Sequence, residues 1–185
     1  MRLFWEKGYE ATSISDLTAA MGIGAPSLYA AFGSKAGLYR AALDHYRRTY
    51  DDIGWGGFRA AATAREAVAA LLMDSAASLT GSRGGTPRGC MVTLSTVDDE
   101  DHADLGEVVR TARRDGFEQL KARLRQGVTD GELPADTDVH ALARFVQTVQ
   151  SGMSILARDG ATQAELEAVA QAALRSFPGG AGPEA

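Results

Sequence analysis

Apolar residues recur along this chain at helical spacing. In the stretch SISDLTAAM, Ile14, Leu17 and Met21 fall at i, i+3 and i+7, one stripe of a short helix. Leu28 and Phe32 stand four apart in the next segment, and Ile23 lies in the glycine-bearing turn between the two. Further on, Val139, Leu142, Val146, Val149, Met153 and Leu156 step by 3, 4, 3, 4 and 3. That is a heptad seam. Alternation at period two is nearly absent, save for a short MVTLSTV that fits a helix equally well. The chain is therefore read as all-α.

Helix starts are marked by side chains that can accept from the unpartnered first N–H groups of a helix. Ser13 with Asp16, Thr63 with Glu66 and Thr162 with Glu165 each have the spacing of a capping box. About nine helices follow: Arg2–Lys7, Ile14–Met21, Pro26–Phe32, Lys35–Tyr50, Ala64–Leu79, Cys90–Val97, His102–Gln126, Asp138–Arg158 and Gln163–Phe177. DDIGWGGFRAAA is read as a loop and GSRGGTPRG as a glycine-rich break. Three divisions result: a helix-turn-helix head at 1–48, a body at 49–177 and a disordered tail at 178–185. The first helix is short, and Leu3, Phe4 and Trp5 read as the end of an amphipathic helix whose beginning lies upstream.

Composition narrows the classes. The 185 residues can bury a core without staples. No apolar run has membrane-spanning length and no secretory leader is visible. A cytoplasmic location is expected, with no membrane partner. One cysteine, Cys90, fits a reducing compartment. The net charge of −5 argues against nucleic acid until it is divided: residues 1–50 hold six Lys/Arg against four Asp/Glu, a net of +2, which leaves −7 for the rest. Such an imbalance arises by chance about as readily as by function.

The third helix shows mostly small residues outward: Ala25, Ser27, Ala30 and Ala31, with Pro26 in its first turn. A helix entering a DNA major groove about 12 Å wide needs little bulk on its outer face, and an alanine or proline can touch a thymine methyl. Thr12 and Ser13 at the start of the second helix, Ser27, Tyr29 and Lys35 are placed to meet phosphate oxygens. Lys35 lies in the first turn of its own helix, where the dipole repels a cation, so a phosphate would account for it. The same spacing also suits an ordinary helical hairpin, with Tyr29 in the core and Lys35 merely on the surface.

The stretch LFWEKGYEATSISDLTAAMGIGAPSLYAAFGSKAGLYRAAL resembles the DNA-binding head of the TetR (tetracycline-repressor-like) family of bacterial regulators. Gly8-Tyr9, Thr12-Ser13-Ile14, Leu17, Gly22, Ser27-Leu28-Tyr29, Phe32, Ser34-Lys35 and Leu38 carry the likeness over about forty residues. The resemblance implies an all-helical, two-domain homodimer that binds a palindromic operator in double-stranded DNA and usually represses. It implies phosphate contacts from Thr12, Tyr29 and Lys35, and base contacts from Ala25–Ser27.

The body reads less sharply. The seam of Val139 to Leu156, with Leu166, Val169, Ala173 and Phe177 of the last helix, either forms a four-helix dimer interface or faces the chain's own core; the resemblance implies the dimer. Trp55, Phe58, Leu72, Met73, Met91, Leu94, Phe117, Leu120 and Met153 are candidates for a pocket holding an unknown small-molecule effector, and equally for core. Cys90 follows Gly89 at a helix start beside Arg88, which allows a thiol sensor of oxidants or electrophiles; a small buried residue is the competing reading. The acidic run DDEDHAD matches no metal loop, and His45, His102 and His140 form no constellation. No nucleophile motif, phosphate-cradling loop or catalytic carboxylate pair is present. The expectation is a one-component, ligand-responsive DNA-binding regulator without cofactor, metal or enzymatic activity. The rivals are a helical small-molecule-binding protein or enzyme, and an activator or nucleoid-type binder.

Overall fold

A computed structural model describes residues 1–82, 85–97 and 103–178. Among them the chain forms nine helices and no strand: α1 (Arg2–Lys7), α2 (Ile14–Met21), α3 (Ala25–Phe32), α4 (Lys35–Ala60), α5 (Ala64–Leu79), α6 (Met91–Leu94), α7 (Ala103–Thr129), α8 (Val139–Arg158) and α9 (Gln163–Arg175). All three capping boxes form. The N3 backbone N–H groups donate to Ser13 Oγ, Thr63 Oγ1 and Thr162 Oγ1 at 3.0, 3.2 and 3.3 Å. The N3 carboxylates of Asp16, Glu66 and Glu165 accept the N-cap N–H groups at 3.1, 3.0 and 2.7 Å. No helix among the described residues is long and apolar enough to cross a membrane. Residues 98–102, which include His102 and most of the acidic run, and 179–185 of the tail lie outside the described residues.

The helices pack as two compact units. The first holds Met1–Asp51 and Cys90–Arg113. Its core joins Phe4, Tyr9, Leu17, Leu28, Tyr39 and Leu43 to Met91, Val97, Leu105 and Val109. Aromatic edges organise it: Tyr39 meets Phe4 at 5.1 Å and Tyr9 at 5.2 Å, and Trp5 meets Tyr46 at 4.8 Å between ring centroids. Such contacts each add about 0.5–1.5 kcal/mol beyond area burial. Arg113 donates to the carbonyls of Val92, Thr93 and Ser95 at 3.2, 3.0 and 2.6 Å. Those oxygens would otherwise accept from the next helical turn. This accounts for α6 stopping at Leu94 rather than Val97, and it places a cation at a helix C-terminus.

The second unit holds Asp52–Gly89 and the chain from Arg114 onward. α5 is its axle, buried on almost every side from Ala64 to Leu79 and packed by α8 and α9. Arg65 donates to the Leu174 and Phe177 carbonyls at the end of α9, at 3.0 and 3.3 Å.

Two expectations are corrected here. The segment expected as a loop after Tyr50 is helix to Ala60. Each helical glycine costs about 1 kcal/mol relative to alanine, but packing overrides the penalty. Phe58 is buried and meets the Trp55 ring edge-to-face at 5.2 Å. A Cβ on Gly57 would stand 2.7 Å from Asp74 Oδ2 and 3.1 Å from Ala70 Cβ, so this glycine lets α4 lie close on α5. The second correction concerns the heptad seam. Val146 is 0% exposed and Met153 is buried, as are Leu166 and Ala173 of α9. These four residues, expected at the dimer interface, are core of their own chain, because α5 packs against their side of α8 and α9, while Leu156 of the same seam stays exposed.

Candidate DNA interface

The head presents α3 with its small residues outward. Gly22 ends α2 at φ +65°, a left-handed turn that glycine adopts without a Cβ clash. Leu28 is fully buried and fixes the opposite face of α3 in the core. Pro26, Ser27, Ala30 and Ala31 are exposed, Ala25 is half-buried, and Tyr29 is 46% exposed. The side chains of Ser27 and Tyr29 have no hydrogen-bond partner among the described residues, so both hydroxyls are left to solvent or a ligand.

The N-terminus of α4 borders this face. Ser34 Oγ accepts from the Gly37 N–H at 2.9 Å and so caps the helix. A Cβ on Gly37 would overlap the Phe32 carbonyl oxygen, so glycine is what allows α4 to start so close behind α3. Lys35 Nζ lies 4.2 Å from the centroid of the Tyr9 ring. Tyr9 is buried between Phe4 and Tyr39. This anchored cation–π contact explains how a lysine is held against the helix dipole. No carboxylate pairs with Lys35 among the described residues. The aromatic seat was not visible from spacing; Tyr9 and Lys35 are 26 residues apart.

Thr12 departs from its expected place. It is 0% exposed, and its hydroxyl donates to the Gly8 carbonyl at 2.6 Å. It ties α1 to the start of α2 and has no surface from which to reach a phosphate. Ser13 beside it is exposed; its oxygen accepts from the Asp16 N–H and its hydroxyl turns to the Asp16 carboxylate. The start of α2 also carries its own anion. Hydrogen bonds from the Ser13 backbone N–H and then its side chain hold the Asp16 carboxyl below its ordinary value, and Lys7 Nζ lies 3.6 Å from it.

The candidate pocket residues divide. Cys90, Met91 and Leu94 belong to the first unit, with Met91 in the core of the head. Trp55, Phe58, Leu72, Met73, Phe117, Leu120 and Met153 belong to the second, where Trp55 and Met73 are half-buried and the others buried. Cys90 is half-buried, and the Tyr46 hydroxyl donates to its Sγ at 3.4 Å. Burial, with Cys90 second, holds the Tyr46 phenol well above the usual tyrosine range, so it stays a neutral donor. The two features that pointed to a sensor thiol are weaker than expected. Arg88 donates to the Ala157 and Ala161 carbonyls at 3.2 and 3.1 Å, and the helix after Cys90 has four residues. Among the described residues no group of three or more His, Cys, Asp or Glu is placed to hold a metal ion.

On α8 and α9 the large apolar residues that remain exposed are Phe145 (40%), Ile155 (52%), Leu156 (46%) and Val169 (37%). Of these, Leu156 and Val169 were expected at the dimer interface; Phe145 and Ile155 were missed because they fall off the seam. Val139, Leu142 and Val149 are half-buried.

Residues 1–42 match the family of bacterial regulatory proteins called tetR, and residues 62–173 match the tetracyclin repressor-like C-terminal domain. The chain belongs to the TetR family. It is similar to the HTH-type transcriptional repressor ComR of Escherichia coli K12, 36% identical over 181 residues that cover 96% of this chain and 85% of that protein. It is also similar to the repressor BdcR of the same organism, at 32% over 91% of this chain and 80% of that protein. Among solved structures, a cysteine mutant of the TetR family regulator CifR, complexed with 26-bp double-strand operator DNA, superposes with a TM-score of 0.89. It is 39% identical and the match covers 96% of this chain and 92% of that one. Family and fold agree with the exposed α3: the chain is a DNA-binding transcriptional regulator.

Proposed function

We propose that this TetR family member is a repressor that holds a palindromic operator as a homodimer, one head per half-site, and leaves it when a small molecule occupies the body. The observation that carries the reading is the outer face of α3, small and exposed, bordered by the Tyr29 hydroxyl and by Lys35 seated on Tyr9. Support comes from the CifR complex, whose operator DNA is bound by a chain of the same fold. Ser13, Tyr29 and Lys35 are the proposed phosphate contacts, and Ala25, Pro26 and Ser27 the base contacts. Two heads fit half-sites one helical turn apart, about 34 Å.

The dimer is assigned to the exposed face of α8 and α9, through Phe145, Ile155, Leu156 and Val169. Gly152 lies on α8, and a Cβ there would meet nothing within 4 Å among the described residues. Its small size is thus not demanded by the chain's own core and suits the approach of a second helix. The effector would act by favouring a dimer conformer whose heads no longer match successive grooves. Such a regulator works in the cytoplasm, where the chromosome is.

The test is binding of the purified chain to duplexes enriched from a randomised pool, followed by fluorescence anisotropy across a salt series. Two chains per duplex are expected, with log affinity falling by about 0.9 per log salt for each phosphate neutralised. Absence of enrichment, or binding indifferent to salt, would end this reading.

A further inference from the structure

We infer that the head selects its operator by thymine methyl groups in the major groove rather than by hydrogen bonds to guanine. The inference rests on the proposed operator binding and names what that binding reads.

Discrimination between base pairs needs groups that match their edges. Guanine is read by bidentate Arg or Lys, adenine by bidentate Asn or Gln, and cytosine by carboxylates. Helix α3, APSLYAAF, contains none of these side chains. Nor are they free on the outward side of α2: Ser15, Ala19 and Ala20 are exposed, the Thr18 hydroxyl is taken by the Ile14 and Ser15 carbonyls at 3.0 and 3.1 Å, and the one carboxylate, Asp16, is held by the Ser13 N–H and by Lys7. Lys35 is seated over Tyr9 in the first turn of the following helix. The hydrogen-bonding side chains left on α3 are Ser27 and Tyr29, and a lone hydroxyl bonds donors and acceptors alike.

What α3 does present is apolar and shallow. Pro26 and Ala30 are four apart, as are Ser27 and Ala31, so the four form one strip along the helix. In the major groove the thymine C5-methyl is the one apolar group that distinguishes a base pair. A strip of Cβ methyls and a proline ring can lie against it at van der Waals distance, since none of the four residues of the strip carries a long side chain; Tyr29, exposed on the same helix, stands outside the strip. Each thymine contacted in this way excludes water from one methyl, which corresponds to about a three- to fivefold gain in affinity.

The experiment uses the unmodified chain and duplexes enriched from a randomised pool. In the tightest duplex each thymine is replaced in turn by uracil, which deletes only the methyl, and each guanine by 7-deazaguanine, which deletes the N7 acceptor. The expected result is a three- to fivefold loss at two or more thymines per half-site, with 7-deazaguanine changing affinity less than twofold. Strong loss on 7-deazaguanine with uracil tolerated everywhere would overturn the inference while leaving a specific operator binder. Indifference to both replacements would also overturn it, in favour of readout through DNA shape. A pool that yields no enriched duplex would remove the operator reading itself, and the inference with it.

Discussion

Helices α3 and α8 both show apolar atoms to water, and they do so in opposite styles. On α3 the exposed apolar residues are Pro26, Ala30 and Ala31, with the Ser27 hydroxyl among them and the Tyr29 ring, 46% exposed, as the one large side chain. On α8 they are Phe145, Ile155 and Leu156. A face of large side chains gains by excluding water against another dry face, at about 25 cal/mol per Å². A face of small ones gains little in that way and would make a poor protein interface. It suits a partner that brings its own charge and leaves room for water, which is the character of a DNA groove. The lesson is that exposure alone does not mark a function; the volume of what is exposed separates a surface that docks protein from one that slides into a duplex.

The largest expected effects test that contrast on α8. Ile155→Glu places a carboxylate on the proposed dimer face at a position the single chain leaves open. The helical circular dichroism should persist, sedimentation should show monomer, and operator affinity should fall by about 100-fold, because two half-sites are no longer held in one event. Val146→Glu, on the buried side of the same helix, should instead unfold the body, since an unpaired buried charge costs about 3–5 kcal/mol. An intact dimer of folded Ile155→Glu would place the interface elsewhere.

A smaller effect is expected at the head. Lys35→Ala should leave the melting temperature nearly unchanged and lower the salt slope of operator binding by about one unit. An unchanged slope would take Lys35 out of the interface and leave its seat on Tyr9 as its whole role. Smaller again is Thr12→Val. Losing the bond to Gly8 should cost the fold about 1 kcal/mol, visible in urea unfolding, with the salt slope intact. A slope reduced as much as by Lys35→Ala would mean that Thr12 reaches the phosphate despite its burial.

Much of this arrangement was legible in the chain because it is local. A capping box is four residues long, and Ser13–Asp16, Thr63–Glu66 and Thr162–Glu165 all form as spaced. The outward small face of α3 follows from Leu28 and Phe32 pointing the other way. What was not legible depends on a distant partner. Gly54, Gly56 and Gly57 read as a break, yet α4 continues through them because Phe58 is buried and Gly57 admits Ala70 and Asp74. The seam on α8 was visible, but a period of 3.5 says neither how much of a face is buried nor by what; here Val146 and Met153 are core of their own chain, where α5 packs on α8, and Leu156 is left exposed. Thr12 sits at a family position, and position does not say which way a hydroxyl turns.

The smallest effect concerns Asp16, where stability and DNA binding should move in opposite directions. Its carboxylate closes the α2 capping box, and the Ser13 N–H and side chain hold it below the ordinary aspartate value. A group depressed in the folded state contributes stability above its unfolded value, about 3.9, and that contribution is lost as pH falls through the folded value. Asp16→Asn should therefore melt slightly lower than the parent at pH 7, with the difference shrinking as pH falls below about 4. The same carboxylate stands beside Ser13, at the rim proposed to meet phosphates. Removing its charge should tighten operator binding at low salt, and the gain should fade as added salt shortens the Debye length below about 8 Å. A melting difference that stays constant through the whole acid range would mean that the box does not depend on the ionised form. Weaker DNA binding by Asp16→Asn at low salt would mean that the start of α2 faces away from the phosphates, and would move Ser13 out of the interface with it.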